Sequence, residues 1–297
     1  MMFNITRAVP RLMRLPSIRF SSTKQSFFPE YKLIDVSYNE KGVVKILFDK
    51  EKSRNCLCFA ILKEIIDALH IVERTDELKI TAVGGKGKFF TGGIDLDDYY
   101  KLKPKGMLRE KELISDNLRT FLKTFLYHKK PLIGAYNGPA IGAGTSLLTW
   151  FDYNICADNA FFIIPFVNYG MTPVDLTGYY LPRILGHLKA KEILMFGRPF
   201  NAKDAKDMNL VNEVIDHKKY WEVVDKRLDQ FVSLNQDNMK EIKRVLTIER
   251  QDEIYEWSCR EIDIFVDYIT RSNFYEDLVA NFCECKIKDD LMKQIPH

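Results

Sequence analysis

Hydrophobic and polar positions along this chain switch between two periods. VVKILF (43–48) is a short apolar run that predicts a strand, and the polar EKSRN (51–55) beyond it predicts a turn. The spacing then changes. Phe59, Leu62, Ile65, Ile66 and Leu69 recur every three or four residues with Lys63, Glu64 and Asp67 between them, the pattern of an amphipathic helix. KITAVGG (79–85) predicts a buried strand closed by glycine, and residues 108–128 predict a helix with Leu113 or Ile114, Leu118, Phe121 or Leu122, and Phe125 on one face. PLIGAYNG (131–138), YNICA (153–157) and FFIIP (161–165) read as further strands, and AIGAGTSLLTWF (140–151) as a helix opened by glycines. NAKDAKDMNLV predicts a capped helix leading into the short strand VNEVID (211–216). Strands alternating with helices predict an α/β fold with largely parallel strands. Residues 218–286 mix charged and apolar positions without Gly or Pro, a helical region expected to serve packing and oligomer contacts.

Composition narrows the picture. The 297 residues are 46% hydrophobic and 29% charged, enough for one substantial core and unlike a collagenous or disordered chain. The formal charge of +3 divides unevenly. Residues 1–24 hold Arg7, Arg11, Arg14, Arg19 and Lys24 without an acid, so the remainder, with 39 basic and 41 acidic residues, is mildly acidic. A body of that sign is no polycation and predicts no nucleic-acid partner. Spaced arginines, apolar residues between them and Ser and Thr near the end make residues 1–24 an expected mitochondrial presequence, and hence predict a matrix protein, the alternative being a basic arm that contacts nucleic acid or lipid. The terminal QIPH is not a peroxisomal address of the SKL type, and no apolar run has membrane-spanning length. The six cysteines, at 56, 58, 156, 259, 283 and 285, and the five histidines lack zinc-site spacing, so no metal is expected.

Two segments carry candidate chemistry. FFTGGIDL (89–96) has adjacent glycines that turn the chain and free the amides of Gly93 and Ile94. NGPAIGAGTSLL (137–148) places Gly142, Ala143 and Gly144 at a helix start, where unsatisfied N–H groups favour negative charge. No GK[ST] follows, so this is not a phosphate-binding loop of the Walker type. Two such donors could form an oxyanion hole.

With their spacing and flanks, these segments resemble the crotonase, or enoyl-CoA hydratase/isomerase, superfamily over roughly residues 33–216. The resemblance rests on K-S-R-N at Lys52 to Asn55, F-x-x-G-x-D-L at 90–96, PLIGAYNGPAIGAG at 131–144, FDYNICADNAFFIIPFVNYGMTP at 151–173 and LPRILGHLKAKEILMFGRPFNAKDAKDMNLVNEVI at 181–215. N-G-P-A-I-G with LMFGRPFNAKDA is most similar to the enoyl-CoA delta-isomerase branch. The resemblance implies a spiral of β-β-α turns over 30–216 and a C-terminal helical trimerisation region over 217–297, giving a homotrimer or a dimer of trimers. It also implies an acyl-CoA thioester substrate and no cofactor beyond that coenzyme A.

The resemblance places the oxyanion donors at the amides of Ile94 and Ala143, with Gly92, Gly93, Asp95, Leu96 and Lys52 in substrate contact. Preorganised donors of this kind stabilise the enolate-like charge that forms when an α-proton leaves. Shifting a double bond from C3–C4 to C2–C3 then needs one base that takes a proton at C2 and returns one at C4. The hydratases' paired glutamates are replaced by Ser146 and Phe166, which argues against hydration. The isomerase base position, eight residues before Pro182, is Val174. Its neighbour Asp175 is the candidate base, although an aspartate on an exposed loop also serves as a helix cap or a solvated charge. Asp95 is expected to act in loop and capping geometry. Tyr169, Tyr179 and Tyr180 flank the Asp175 loop as core aromatics or assisting acids, and Lys52 and Arg54 are available to CoA phosphates. Two functions follow: a delta3-delta2-enoyl-CoA isomerase of mitochondrial β-oxidation, or an acyl-CoA- or partner-binding protein that has lost its base.

Overall fold

A computed structural model of the chain describes residues 26–95, 98, 107–247, 250–271 and 274. The expected presequence, Leu96 and the last part of the C-terminal region lie outside them. Strand β1 (Ile34–Tyr38) pairs antiparallel with β2 (Val43–Phe48). Their turn is closed by Asn39, whose Oδ1 accepts the amides of Lys41 and Val43 at 3.0 Å each. Helix α1 (Phe59–Arg74) carries the chain to β3 (Ile80–Gly85), and helix α2 (Met107–Leu126) to β4 (Leu132–Tyr136). Strand β5 (Ala140–Ile141) and the short helix α3 (Ala143–Ser146) precede β6 (Tyr153–Ala157) and β7 (Phe161–Ile163). Helices α4 (Thr177–Leu185) and α5 (His187–Phe196), strand β8 (Phe200–Asn201), helix α6 (Ala202–Asp207) and strand β9 (Glu213–Ile215) follow. The chain then runs through helices α7 (Tyr220–Val232), α8 (Gln236–Thr247) and α9 (Gln251–Ile269).

The main sheet has the order β1-β2-β3-β4-β6-β9, parallel except for the first hairpin, and a second sheet has the order β5-β7-β8. Both faces of the main sheet are covered, which is why its central strands are almost continuously apolar. Val44, Ile46, Phe48 and Val83 pack with Ile61, Ile65, Leu69 and Val72 of α1. The opposite residues, Val43, Ile80, Ala82, Ile133, Ala135 and Ile155, pack with Tyr220, Val224, Leu228 and Val232 of α7.

Most expected elements are present within a residue or two, but the helix expected over 140–151 is instead strand β5, the four-residue α3 and a single tighter turn at Leu147–Thr149. The strand begun at Phe161 ends at Ile163, two residues before the donor-less Pro165, and the helix expected over 108–128 runs from Met107 to Leu126. Strands β1 and β8 were not foreseen. The first is an edge strand with only Ile34 buried, and the second has two residues, so neither has a continuous apolar signature.

The C-terminal helices do more than pack. In α9 the buried positions Ile254, Ser258, Glu261, Ile262, Phe265 and Val266 fall on one helical stripe, and Glu261 is the carboxylate in it. Beyond the packing expected of this region, it also delivers an acid into the interior.

Candidate active site

The first half of the site is made of backbone held by buried side chains. Asn55, fully buried in a left-handed turn at φ 56°, donates Nδ2–H to the carbonyls of Lys86 and Phe89 at 3.0 and 2.9 Å, and its Oδ1 accepts the Lys50 amide at 2.9 Å. Thr91 Oγ1 donates to the Asn55 carbonyl at 2.6 Å and accepts the Gly93 amide at 3.1 Å. The loop after β3 is thus tied to the turn after β2. Asn137 ties it to the strand beyond, its Oδ1 accepting the Gly85 amide and its Nδ2 donating to the Gly87 carbonyl.

The two glycine segments lie side by side. Thr91 bridges Ala140 in parallel, and the Ile141 amide donates to the Thr91 carbonyl at 3.0 Å. Three residues beyond that bridge on each segment stand Ile94 and Ala143. Gly93 has φ +90°, and a Cβ there would lie 2.6 Å from the Ile141 carbonyl oxygen. A Cβ at Gly144 would lie 2.4 Å from Thr91 Cγ2, so both glycines are required by the close approach of the segments. Thr145 Oγ1 lies 2.6 Å from the Ala140 carbonyl and 3.0 Å from that of Ile163, fixing the start of α3. Around these bonds some donors are left over. Among the described residues, the N–H groups of Ile94 and Ala143, and that of Gly144 beside the second, have no acceptor, while the amides of Leu57, Gly92, Asp95, Ile141, Gly142 and Thr145 all do.

The other expected contact residues divide. Gly92 is half-buried beside Cys56, whose sulfur would lie 3.0 Å from an added Cβ; burial and then the charge of Asp95 push that thiol up. Asp95 pairs with Lys50 at 2.8 Å and accepts the Asp98 amide at 3.3 Å, and Asp98 in turn caps α1 by accepting the Phe59 amide at 3.0 Å. Lys52 and Arg54 are exposed, and the Arg54 guanidinium stands 5.6 Å from the Phe89 ring centre.

The second half of the site is made of carboxyl groups. Ser146 and Phe166, where the hydratase glutamates would stand, are both buried, and Ser146 Oγ donates to the Gly142 carbonyl at 3.2 Å. Val174 is fully buried in the main core. Asp175 is not on an exposed loop as its sequence context suggested: it is 8% exposed, in a left-handed conformation at φ 60° just before α4. The apolar Val174 and Leu176, with Thr177 buried beside them and its hydroxyl bonded to the Val174 carbonyl at 2.7 Å, draw this segment inward. The Asp175 carbonyl accepts the Trp150 indole N–H at 2.9 Å, which joins it to the segment running on from Ala143. Its Oδ2 has no hydrogen-bond partner. Burial, and then the charge of Glu261, push its carboxyl from the ordinary 3.8 up to about 7.

Glu261 escaped the reading of the sequence because its neighbours form an ordinary helical pattern; its position on the apolar stripe was the available signal. Burial raises its carboxyl to about 6, opposed by hydrogen bonds from Trp257, Gly178 and Leu176. Of the tyrosines, Tyr179 is buried with its hydroxyl 3.3 Å from Glu253, and burial, then Tyr179, raise the Tyr180 phenol to about 12. Tyr169 lies half-buried on the single turn Val167–Tyr169. A third cluster, Asp158, Asp216 and His217, is exposed and occupied internally: Asp158 Oδ1 accepts the His217 amide and Asp216 Oδ1 the Lys218 amide.

Comparison with known proteins agrees with this architecture. The chain is 30% identical over 226 residues to the human (Homo sapiens) enoyl-CoA delta isomerase 2, covering 76% of this chain and 57% of that protein. It is 29% identical over 254 residues to the peroxisomal enoyl-CoA delta isomerase 3 of Mus musculus, covering 85% and 79%. The mouse chromodomain Y-like protein is 28% identical over 83% of this chain and 42% of its own length. The chain therefore spans little more than half of some relatives it matches. Among solved structures, an enoyl-CoA hydratase/isomerase from Pseudoalteromonas atlantica T6c superimposes with a TM-score of 0.77 at 26% identity, covering 85% of this chain and 98% of that one. The enoyl-CoA hydratase/isomerase family model matches residues 38–287. Taken with the paired glycine segments and the crotonase-like α/β fold, this match makes the chain a member of the enoyl-CoA hydratase/isomerase family.

Proposed function

We propose that this protein binds acyl-CoA thioesters and moves the double bond of a 3-enoyl-CoA into conjugation, as a delta3-delta2-enoyl-CoA isomerase. The observation that carries the reading is the pair of unpartnered amides, Ile94 and Ala143, on two segments locked in parallel. A thioester oxygen between them would gain negative charge as the C2 proton leaves, and fixed donors stabilise that charge without reorganising. Asp175 is the proposed base. Ionised, it takes the C2 proton; protonated, it returns one to C4, so that no other reactant is consumed. A carboxyl raised to about 7 suits both steps near neutral pH. With Ser146 and Phe166 at the hydratase positions, the site offers no second acid there to activate water.

Lys52 and Arg54, both exposed, with Arg54 against Gly92 and Phe89 of the first glycine segment, are the proposed partners of the CoA phosphates. The acid-free residues 1–24 support a mitochondrial matrix location and a place in fatty-acid β-oxidation, and the C-terminal helices support a homotrimer or a dimer of trimers. A second reading is favoured by one observation: Val174, at the position of the isomerase base, is fully buried in the core. On that reading the protein binds CoA esters without converting them.

The test is to incubate the purified protein and Asp175→Asn with 3-enoyl-CoA, following the conjugated product, and to measure acyl-CoA binding in parallel. Turnover by the wild type that is lost in the variant with binding kept supports isomerisation. Binding without turnover at any pH supports the second reading.

A further inference from the structure

Glu261 has more than one neighbour to answer to. Its Oε1 accepts the Gly178 amide at 2.9 Å and the Trp257 indole N–H at 3.2 Å, and the Leu176 amide also donates to the carboxylate. A Cβ at Gly178 would lie 2.5 Å from that oxygen, so the carboxylate is seated against the backbone at the start of α4. Leu176 stands at the N-cap of α4 and offers no side-chain acceptor, so α9 supplies the cap from a distance. Capping occupies one oxygen. The other, Oε2, is buried without a partner, as is Oδ2 of Asp175, and both residues are 8% exposed. Two carboxyl groups thus share one buried compartment with only Glu261 hydrogen-bonded, and two like charges there oppose each other.

The other charged and titratable groups on the adjoining elements are engaged elsewhere. Arg183, the cation of α4, lies 3.6 Å from the Tyr179 ring centre, donates to the Tyr179 carbonyl at 2.8 Å and pairs with Glu253 of α9 at 3.7 Å. The Tyr179 hydroxyl is directed to Glu253, and the Tyr180 phenol is half-buried beside Tyr179. From the segment after α3 comes only the neutral indole of Trp150.

We propose that Glu261 is a positioning residue acting through Asp175: pinned as an anion by backbone and indole N–H groups, it leaves the one proton that the pair handles on Asp175. In the double-bond shift, Asp175 then gains the C2 proton and holds it until C4 takes one back, and Glu261 stays ionised throughout. The inference rests on the isomerase reading, in which Asp175 is the base.

Glu261→Gln keeps a carbonyl oxygen to accept the Gly178 amide and removes the charge, so the variant separates capping from electrostatics. The test measures kcat/KM for 3-enoyl-CoA against pH in the wild type and in this variant. In parallel, the Asp175 carboxyl is titrated by NMR of carbon-13-aspartate-labelled protein, its signal assigned with Asp175→Asn. The acid limb of the rate profile and the Asp175 signal should both move down by about one pH unit or more in Glu261→Gln, with KM within about twofold. Both staying in place in a folded variant overturns the proposal. So does a wild-type Asp175 signal that titrates in the ordinary carboxylate range, a result that needs no folded variant. A wild type that turns over nothing while its Asp175 signal still moves in the variant overturns the isomerase reading instead.

Discussion

The glycine segments and the carboxyl compartment solve opposite problems with opposite materials. Around Ile94 and Ala143 most amides and carbonyls are used, and the spare N–H groups lie where the two glycine segments end side by side. Around Asp175 and Glu261 the background is apolar, and the spare atoms are titratable oxygens left without partners. Backbone donors hold their charge at any pH and suit the stabilisation of an oxyanion. Buried carboxyls change charge readily and suit proton transfer. The difference teaches that rigidity and responsiveness are located separately here, and Trp150 joins the two through its bond to the Asp175 carbonyl.

The largest break in this comparison is expected from Asp175→Asn, which should lower 3-enoyl-CoA isomerisation by about 10³-fold with acyl-CoA affinity changed less than twofold, read by steady-state kinetics and calorimetry. Gly93→Ala should come next. Its φ of +90° and the 2.6 Å approach to the Ile141 carbonyl would force the segments apart, costing on the order of 10²-fold in activity and about 2 kcal/mol of stability in urea denaturation.

Stability against pH sharpens the contrast. Asp175 binds its proton more tightly folded, near 7, than at its ordinary 3.8, so its contribution is most favourable below about pH 4 and is lost as pH rises through about 7. Urea midpoints should therefore fall over this range by the equivalent of at most about 4 kcal/mol, and Asp175→Asn should flatten the fall. Trp150→Phe removes one hydrogen bond to a carbonyl and should cost about 1 kcal/mol and a few-fold in kcat. Smallest is Lys52→Ala, which should raise KM for CoA esters about twofold at low salt and leave kcat alone.

The backbone half of the site was legible in the sequence because its signal is local: glycines at a strand end and a helix start, tied by Asn55 within K-S-R-N. What that signal did not show is how the segments are held, since the bonds of Asn55, Thr91 and Asn137 join residues distant in sequence. The sheet was legible for a similar reason, each buried strand being a nearly continuous apolar run. The carboxyl half was only half legible. Asp175 could be named, but its burial depends on Val174, Leu176 and Thr177 pulling the loop into the core against α9. Glu261 left only the signal of a lone acid on an apolar stripe, whose meaning depends on the opposing helix start.

The most direct test of the whole account is a crystal structure of the protein with a non-reactive 3-enoyl-CoA analogue bound. The account predicts the thioester oxygen within about 3 Å of the amide nitrogens of both Ile94 and Ala143, and an Asp175 carboxyl oxygen within about 3.5 Å of C2. A thioester oxygen bound elsewhere, or an Asp175 carboxyl separated from C2 by the side chain of Val174, would contradict it.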